Sequence, residues 1–195
     1  AVFKFWRGGA VNLRAAAIAA VGSFIGSAVG AKTALMLSDQ TIKTMLLIIL
    51  PCAAVVIFLK RNLGDSDDSA QIGRDKAAAL AFMIGLLIGG YDGLFGPGTG
   101  TFAIMAFSSL MKFDLKTASG NAKILNLASN YASLITFAFA GTIMYGVAIP
   151  AAVCGIAGNY LGAHCALTKG ARFIRPMMLA VLALLLLKLL WDILS

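Results

Sequence analysis

Apolar runs of about membrane length, parted by short polar breaks, fill this chain from end to end. A helix needs about 20 apolar residues to cross a bilayer core of roughly 30 Å, and several runs reach that length. After a stub ending at Trp6, apolar segments extend from Leu13 to Leu37 and from Ile42 to Leu59, the second with Pro51 as a kink position. A polar stretch follows, Lys60 to Asp75, with Asp65, Asp67 and Asp68. The next segment starts near Lys76 and dissolves at Gly90 into the run Gly-Tyr-Asp-Gly-Leu-Phe-Gly-Pro-Gly-Thr-Gly over 90–100. A short segment, Thr101 to Met111, is followed by three longer ones over 117–140, 145–167 and 174–194. The expected fold is all-α, a polytopic transmembrane helical bundle with Gly- and Pro-broken helices.

Composition strengthens that reading. Of 195 residues, 60% are hydrophobic and only 12% charged, and the mean hydropathy is +0.90. The eight acids are all Asp, against sixteen Lys and Arg. So few charges cannot cover a soluble enzyme. The +8 excess is spread as small clusters at the ends of apolar runs, which excludes a nucleic-acid partner and points to a lipid bilayer. Cys52, Cys154 and Cys165 lie in apolar runs without CxxC or His spacing and read as small core residues. No metal or cofactor is expected. The lone His164 reads as interfacial packing, and Asp192, four residues after Lys188, as one member of an interfacial pair. The chain starts at Ala1 inside an apolar stretch, which reads as a missing N-terminus.

The cations also encode orientation. Arg7 and Arg14, then Lys60, Arg61, Arg74 and Lys76, then Lys112 and Lys116, then Lys169, Arg172 and Arg175 occupy alternate connections, eleven in all. The intervening connections hold only Lys32 and Lys43. By the positive-inside rule the first set is cytoplasmic, which makes 60–75 a cytoplasmic loop. Segments 76–90 and 101–111 are then either two short full crossings or two half-helices returning to one side.

Displacing the chain by 132 residues aligns the segments of 13–59 with those from 145 onward without a gap. Phe5 meets Phe137, Gly9 meets Gly141, Gly26 meets Gly158, and Gly30-Ala31 meets Gly162-Ala163, with 15 identities in the 46 positions from Phe5 to Leu50. Gly22, Gly26, Gly30 and Ala34, like Gly158, Gly162 and Ala166, form small-xxx-small faces on which helix backbones approach closely. Charge parity makes the two copies inverted, an arrangement typical of secondary transporters. Residues 1–59 are then the remainder of a first repeat and 76–195 a second.

Candidate chemistry concentrates in that second repeat. Gly96, Pro97, Gly98, Thr99 and Gly100 interrupt the apolar pattern. Irregular backbone at membrane depth must be buried in protein or line a wet cavity, and glycine N–H groups beside a helix start make an anion cradle. A plain extramembrane turn is the alternative. No Gly-Lys-Ser/Thr follows, so this is not a nucleotide loop. Downstream, Ser119, Lys123, Asn126 and Asn130 share one helical stripe and Asn121 points elsewhere. A buried cation with amides suits a small oxyanion; alternatively Lys123 snorkels to the headgroups. Asp92 is open to three readings: proton carrier, counter-ion of Lys123, or cap of the following turn.

The run Gly90-Tyr91-Asp92-Gly93-Leu94-Phe95-Gly96-Pro97-Gly98-Thr99-Gly100, then Asn121-Ala122-Lys123-Ile124-Leu125-Asn126, resembles the second-repeat signature of the sulfite exporter TauE/SafE family. The likeness continues through Gly158-Asn159-Tyr160-Leu161-Gly162-Ala163 and Arg172-Phe173-Ile174-Arg175-Pro176. It implies a bacterial inner-membrane permease of two related halves for sulfite, sulfonates or similar small anions. The family's polar positions map onto Gly96, Pro97, Gly98, Thr99, Gly100, Asn121, Lys123 and Asn126. Family members carry an earlier Gly-rich motif and Asn-Lys pair; this chain starts after them.

Three functions compete at this stage. A secondary anion transporter leads, with a homo-oligomer left open. A passive anion channel shares the basic stripe. An intramembrane aspartyl protease needs two facing carboxylates, and Asp92 has no obvious second.

Overall fold

The computed structural model describes residues 2–59 and 67–194. Lys60, Arg61 and Asp65 of the expected cytoplasmic loop lie outside the described residues, as do the side chains of Cys52, Arg175 and Asp192. The described residues form helices and no strand: α1 (Val2–Arg7), α2 (Leu13–Ala34), α3 (Asp39–Leu59), α4 (Arg74–Leu94), α5 (Thr99–Leu110), α6 (Leu115–Phe139), α7 (Tyr145–Lys169) and α8 (Ala171–Leu194), with a 3-10 turn at Ser69–Gln71. Among the described residues α2, α4 and α7 are long and apolar enough to cross a membrane. The chain is an all-α membrane protein.

Local chemistry sets the helix starts. Asn12 caps α2, its side chain accepting from the Ala15 N–H, and Asp114 caps α6 by accepting from Thr117 and Lys116. Both satisfy N–H groups that a first turn leaves without partners.

The glycines decide how α2 meets α4. A Cβ built on Gly22, Gly26 or Gly30 would collide with the carbonyls of Phe82, Leu86 and Gly90, and one on Gly85, Gly89 or Gly93 with the backbone of Ala19, Ser23 and Ser27. Two glycine rows interlock, one every fourth residue on each helix, and the backbones touch. This corrects the expected break at Gly90. Glycine costs a helix about 1 kcal/mol per residue, but here the packing offsets it, so α4 runs on to Leu94. Asp92 is therefore a helical residue.

The 132-residue offset recurs in the backbone. Helix starts at Leu13 and Asp39 are matched by starts at Tyr145 and Ala171. Gly9 and Gly141 have φ of 66° and 69°. Three bonds close each turn: Gly8 N–H to Lys4 O, Gly9 N–H to Trp6 O and Ala10 N–H to Phe5 O in one, Ala140 to Thr136, Gly141 to Ala138 and Thr142 to Phe137 in the other. The bond spanning five residues beside a left-handed glycine is the Schellman closure. Thus α1 corresponds to the last turns of α6.

One core lies among α2, α4, α5 and α6 around Ile84, Phe107, Met111 and Leu125; a second joins α1, α6, α7 and α8 around Phe5, Leu115, Ile174 and Met178. Most of α7 stands outside both. Nothing lies within 4 Å of a Cβ built on Gly158 or Gly162, so among the described residues the small-residue face expected there packs on no helix. Ala166 is buried. For the same reason Cys154 is exposed and Cys165 half-buried, both free thiols, which corrects their reading as core residues. His164 is exposed.

Candidate functional site

The turn between α4 and α5 is built by two glycines in the left-handed region, Gly96 at φ 82° and Gly98 at φ 83°, where a side chain is disfavoured. Much of its hydrogen bonding is internal. Gly96 N–H reaches Tyr91 O, Thr99 N–H reaches Gly96 O, and Thr101 N–H reaches Gly98 O. The Thr99 hydroxyl donates to Gly96 O at 2.7 Å and the Tyr91 hydroxyl to Pro97 O at 2.5 Å. The Tyr91 ring packs between Phe95 and Phe102. Pro97 has no N–H, so the N–H groups of Gly98 and Gly100 are what the turn has left to offer at the start of α5.

Helix α6 crosses this turn and carries the polar stripe. Lys123 reaches away from the turn toward α7 and donates to Asn159 Oδ1 at 2.7 Å. Asn159 in turn donates from Nδ2 to Gly155 O at 2.9 Å, which fixes the amide with its oxygen toward the lysine. An ammonium has three donors, so two remain. Lys123 and Asn159 line an open cavity of about 460 Å³ with Ser119, Gly100 and Thr101. Among the described residues no carboxylate pairs with Lys123. The start of α5, the cation of α6 and the amide of α7 thus share one cavity.

Asp92 belongs to a different cluster. Its carboxylate accepts from the Ser129 hydroxyl, with the Thr99 hydroxyl beside it. The Ser129 hydroxyl also lies 3.1 Å from Asn126 O, and Ser129 O accepts from Ser27, whose hydroxyl meets that of Ser133 at 2.6 Å. Asp92 therefore sits among hydroxyls, and Lys123 is met by an amide; the two charges do not pair.

Asn126 stands between the clusters. Its Nδ2 lies 3.5 Å from where a Gly100 Cβ would be, and its Oδ1 is buried without a partner. Asn130 is exposed. Asn121 is fully buried on another face, where its Oδ1 accepts from Asn12 N–H at 3.0 Å and its Nδ2 has no partner. With Gly120 against the Ala10 carbonyl, it ties α6 to the turn before α2, away from the Lys123 cavity. Gly96, Pro97, Gly98 and Thr99 lie in the turn behind that cavity and do not line it.

Two participants escaped the sequence reading: Asn159 as the lysine's partner and Ser129 as the aspartate's. A signal existed for the first. Asn159 holds in α7 the place that Ser27 holds in α2, 132 residues earlier, and both side chains reach α6.

The family model for the sulfite exporter TauE/SafE matches residues 1–189. The chain is 32% identical over 194 residues to a Sinorhizobium sp protein named "Probable membrane transporter protein ORF9", covering 98% of this chain and 72% of that one. It is 32% identical over 170 residues to the Escherichia coli K12 "Probable membrane transporter protein YfcA", covering 87% of this chain and 62% of that protein. A "Probable membrane transporter protein" of Haemophilus influenzae is 31% identical over 188 residues, covering 96% and 72% respectively. The chain thus spans roughly two thirds of these relatives' lengths. No solved structure matches it. With nearly its full length matched by that model, the chain belongs to the sulfite exporter TauE/SafE family of membrane transporters.

Proposed function

We propose that this chain is the substrate-bearing part of a multi-pass secondary transporter of the bacterial inner membrane that carries small anions, with sulfite and sulfonates as the leading substrates. The observation that carries the reading is the Lys123 cavity. A cation in an apolar helix is costly to keep unpaired, and here its one partner is a neutral amide oxygen, with two donors left over. A small oxyanion supplies the missing charge and takes further donation from Thr101 and the Gly100 N–H, the Ser119 hydroxyl being engaged with Leu115 O at 2.6 Å. The sulfur specificity rests on the family description.

Asp92 suits a proton-coupling role better than a counter-ion role. Ser129 and Thr99 each have one hydroxyl hydrogen and two acceptors, the carboxylate and a backbone carbonyl. When the carboxylate is charged both hydroxyls turn to it. When it is protonated it donates to one of them, which turns to its carbonyl. Either state keeps its bonds.

The test is sulfite flux into proteoliposomes containing the full-length protein. Saturable uptake that responds to an imposed proton gradient is expected, abolished by Lys123→Met. Asp92→Asn keeps substrate exchange but loses the response to the gradient. Normal flux in Lys123→Met rejects the site, and flux that neither saturates nor responds to the gradient favours a passive channel.

A further inference from the structure

A cavity separate from that of Lys123 lies at the far end of α4 and α5 from the glycine turn, where α2 and α4 begin and α5 ends. It encloses about 430 Å³. Its floor is apolar, with Met111 and Phe113 buried and Ile18 and Ile72 half-buried. Its polar side chains are Asn12, Arg14, Ser69 and Arg74, and among the described residues no carboxylate lines it.

The polar groups beside it are engaged with one another. Asp68 accepts from Gln71 Nε2 at 3.3 Å, Gln71 Oε1 accepts from Lys112 at 3.0 Å, and the Asp68 N–H donates to Lys112 O at 2.9 Å. These bonds seat the Ser69–Gln71 turn against the end of α5 and leave both arginines out. Asn12 Oδ1 accepts from the Ala15 N–H at 3.1 Å, so its Nδ2 is left to donate. Gly73 precedes α4 without a capping side chain, so the first N–H groups of that helix add further donors. The lining thus offers donors and two positive charges, with no anion to meet them.

We infer that this cavity is a binding site for the phosphate headgroup of an anionic phospholipid, held between Arg14 of α2 and Arg74 of α4. A guanidinium fork matches two phosphate oxygens, and basic pockets between helices at the cytoplasmic surface take anionic headgroups. Both arginines belong to the cations that the positive-inside rule predicts to be cytoplasmic. The apolar floor suits a lipid better than a free phosphate. Beyond it, Ile18, Val21 and Ile25 follow Arg14 at helical spacing along one stripe of α2, and Val21 and Ile25 are exposed. That stripe leads from the arginine toward membrane depth and gives an acyl chain an apolar track. The site shares no lining residue with the Lys123 cavity and does not depend on what that cavity binds.

Thermal unfolding of the full-length protein in detergent tests it, with phosphatidylglycerol, phosphatidylcholine or glycerol phosphate added. Phosphatidylglycerol is expected to raise Tm by about 5 °C, as a ligand of the folded state does, and the other two by less than about 1 °C. Replacing both arginines, Arg14→Gln with Arg74→Gln, removes the response. Ala78→Phe, which fills the cavity and keeps both arginines, removes it too, while Lys43→Gln on α3 retains it. An equal rise with phosphatidylcholine means that headgroup charge is not read, and an equal rise with glycerol phosphate means that a soluble phosphate fills the cavity. A full response to phosphatidylglycerol in either the arginine or the Ala78 variant means that the lipid binds elsewhere. Each of these three results overturns the inference.

Discussion

At the scale of single residues, the arrangement separates its charges. Lys123 meets an amide and Asp92 meets hydroxyls, so the two do not pair with each other. The Asn159 partner gives a sharp way to test this. Asn159→Asp preserves shape and turns the 2.7 Å contact into an ion pair, which fills the cation's electrostatic need from within the protein. Anion affinity is expected to fall by about 100-fold, equivalent to about 2.7 kcal/mol, while the folded protein stays monodisperse and melts no lower than the parent. Asn159→Ala frees the ammonium and is expected to change affinity by only a few fold. Substrate titration by isothermal calorimetry on the full-length protein separates the two, and equal affinities for parent and Asn159→Asp contradict the role assigned to Lys123.

At the scale of elements, the interlock of α2 and α4 predicts opposite outcomes for neighbouring glycines. A Cβ on Gly89 runs into Ser23, while one on Gly90 rests 3.7 Å from Gly26 O, an ordinary contact. Gly89→Ala is expected to cost about 1–3 kcal/mol by overpacking; Gly90→Ala is expected to be neutral or to gain up to about 1 kcal/mol from helix propensity. Denaturation in mixed micelles measures both, and a loss at Gly90 equal to that at Gly89 refutes this packing. The same elements show what was legible in the sequence. Hydropathy located every long helix, because apolar length is what a bilayer demands, and the in-register glycines of α2 marked a close-packing face. The end of α4 was misread because a glycine-rich stretch reads as a break when its neighbour is unknown; only contact with α2 makes it helix. The Lys123 contact was hidden for a similar reason, since Asn159 looks like an isolated amide until α6 and α7 are side by side. The face of α7 was read as packed because its sequence matches that of α2, yet among the described residues nothing lies against Gly158 or Gly162.

At the scale of the whole molecule, the repeat leaves one geometric question with a direct answer. The shared helix starts and the twin Schellman turns establish that the two copies are built alike, and a tandem duplication has that property as much as an inverted one. Charge distinguishes them. The connection between α2 and α3 holds few cations, whereas the one between α7 and α8 carries Lys169, Arg172 and Arg175, so the positive-inside rule predicts these homologous turns on opposite sides. Met36 and Thr168 are the same position in the two copies, 132 residues apart, and both are exposed. In a background with Cys52, Cys154 and Cys165 replaced by Ala, a membrane-impermeant maleimide added to intact cells is expected to label Met36→Cys. It labels Thr168→Cys only after the membrane is permeabilised. The inverted outcome brings two like halves together across a pseudo-two-fold axis in the membrane plane, where alternating access needs only a rocking of one half against the other. Labelling of both cysteines from the same side makes the copies tandem, and the rocking mechanism then loses its symmetry.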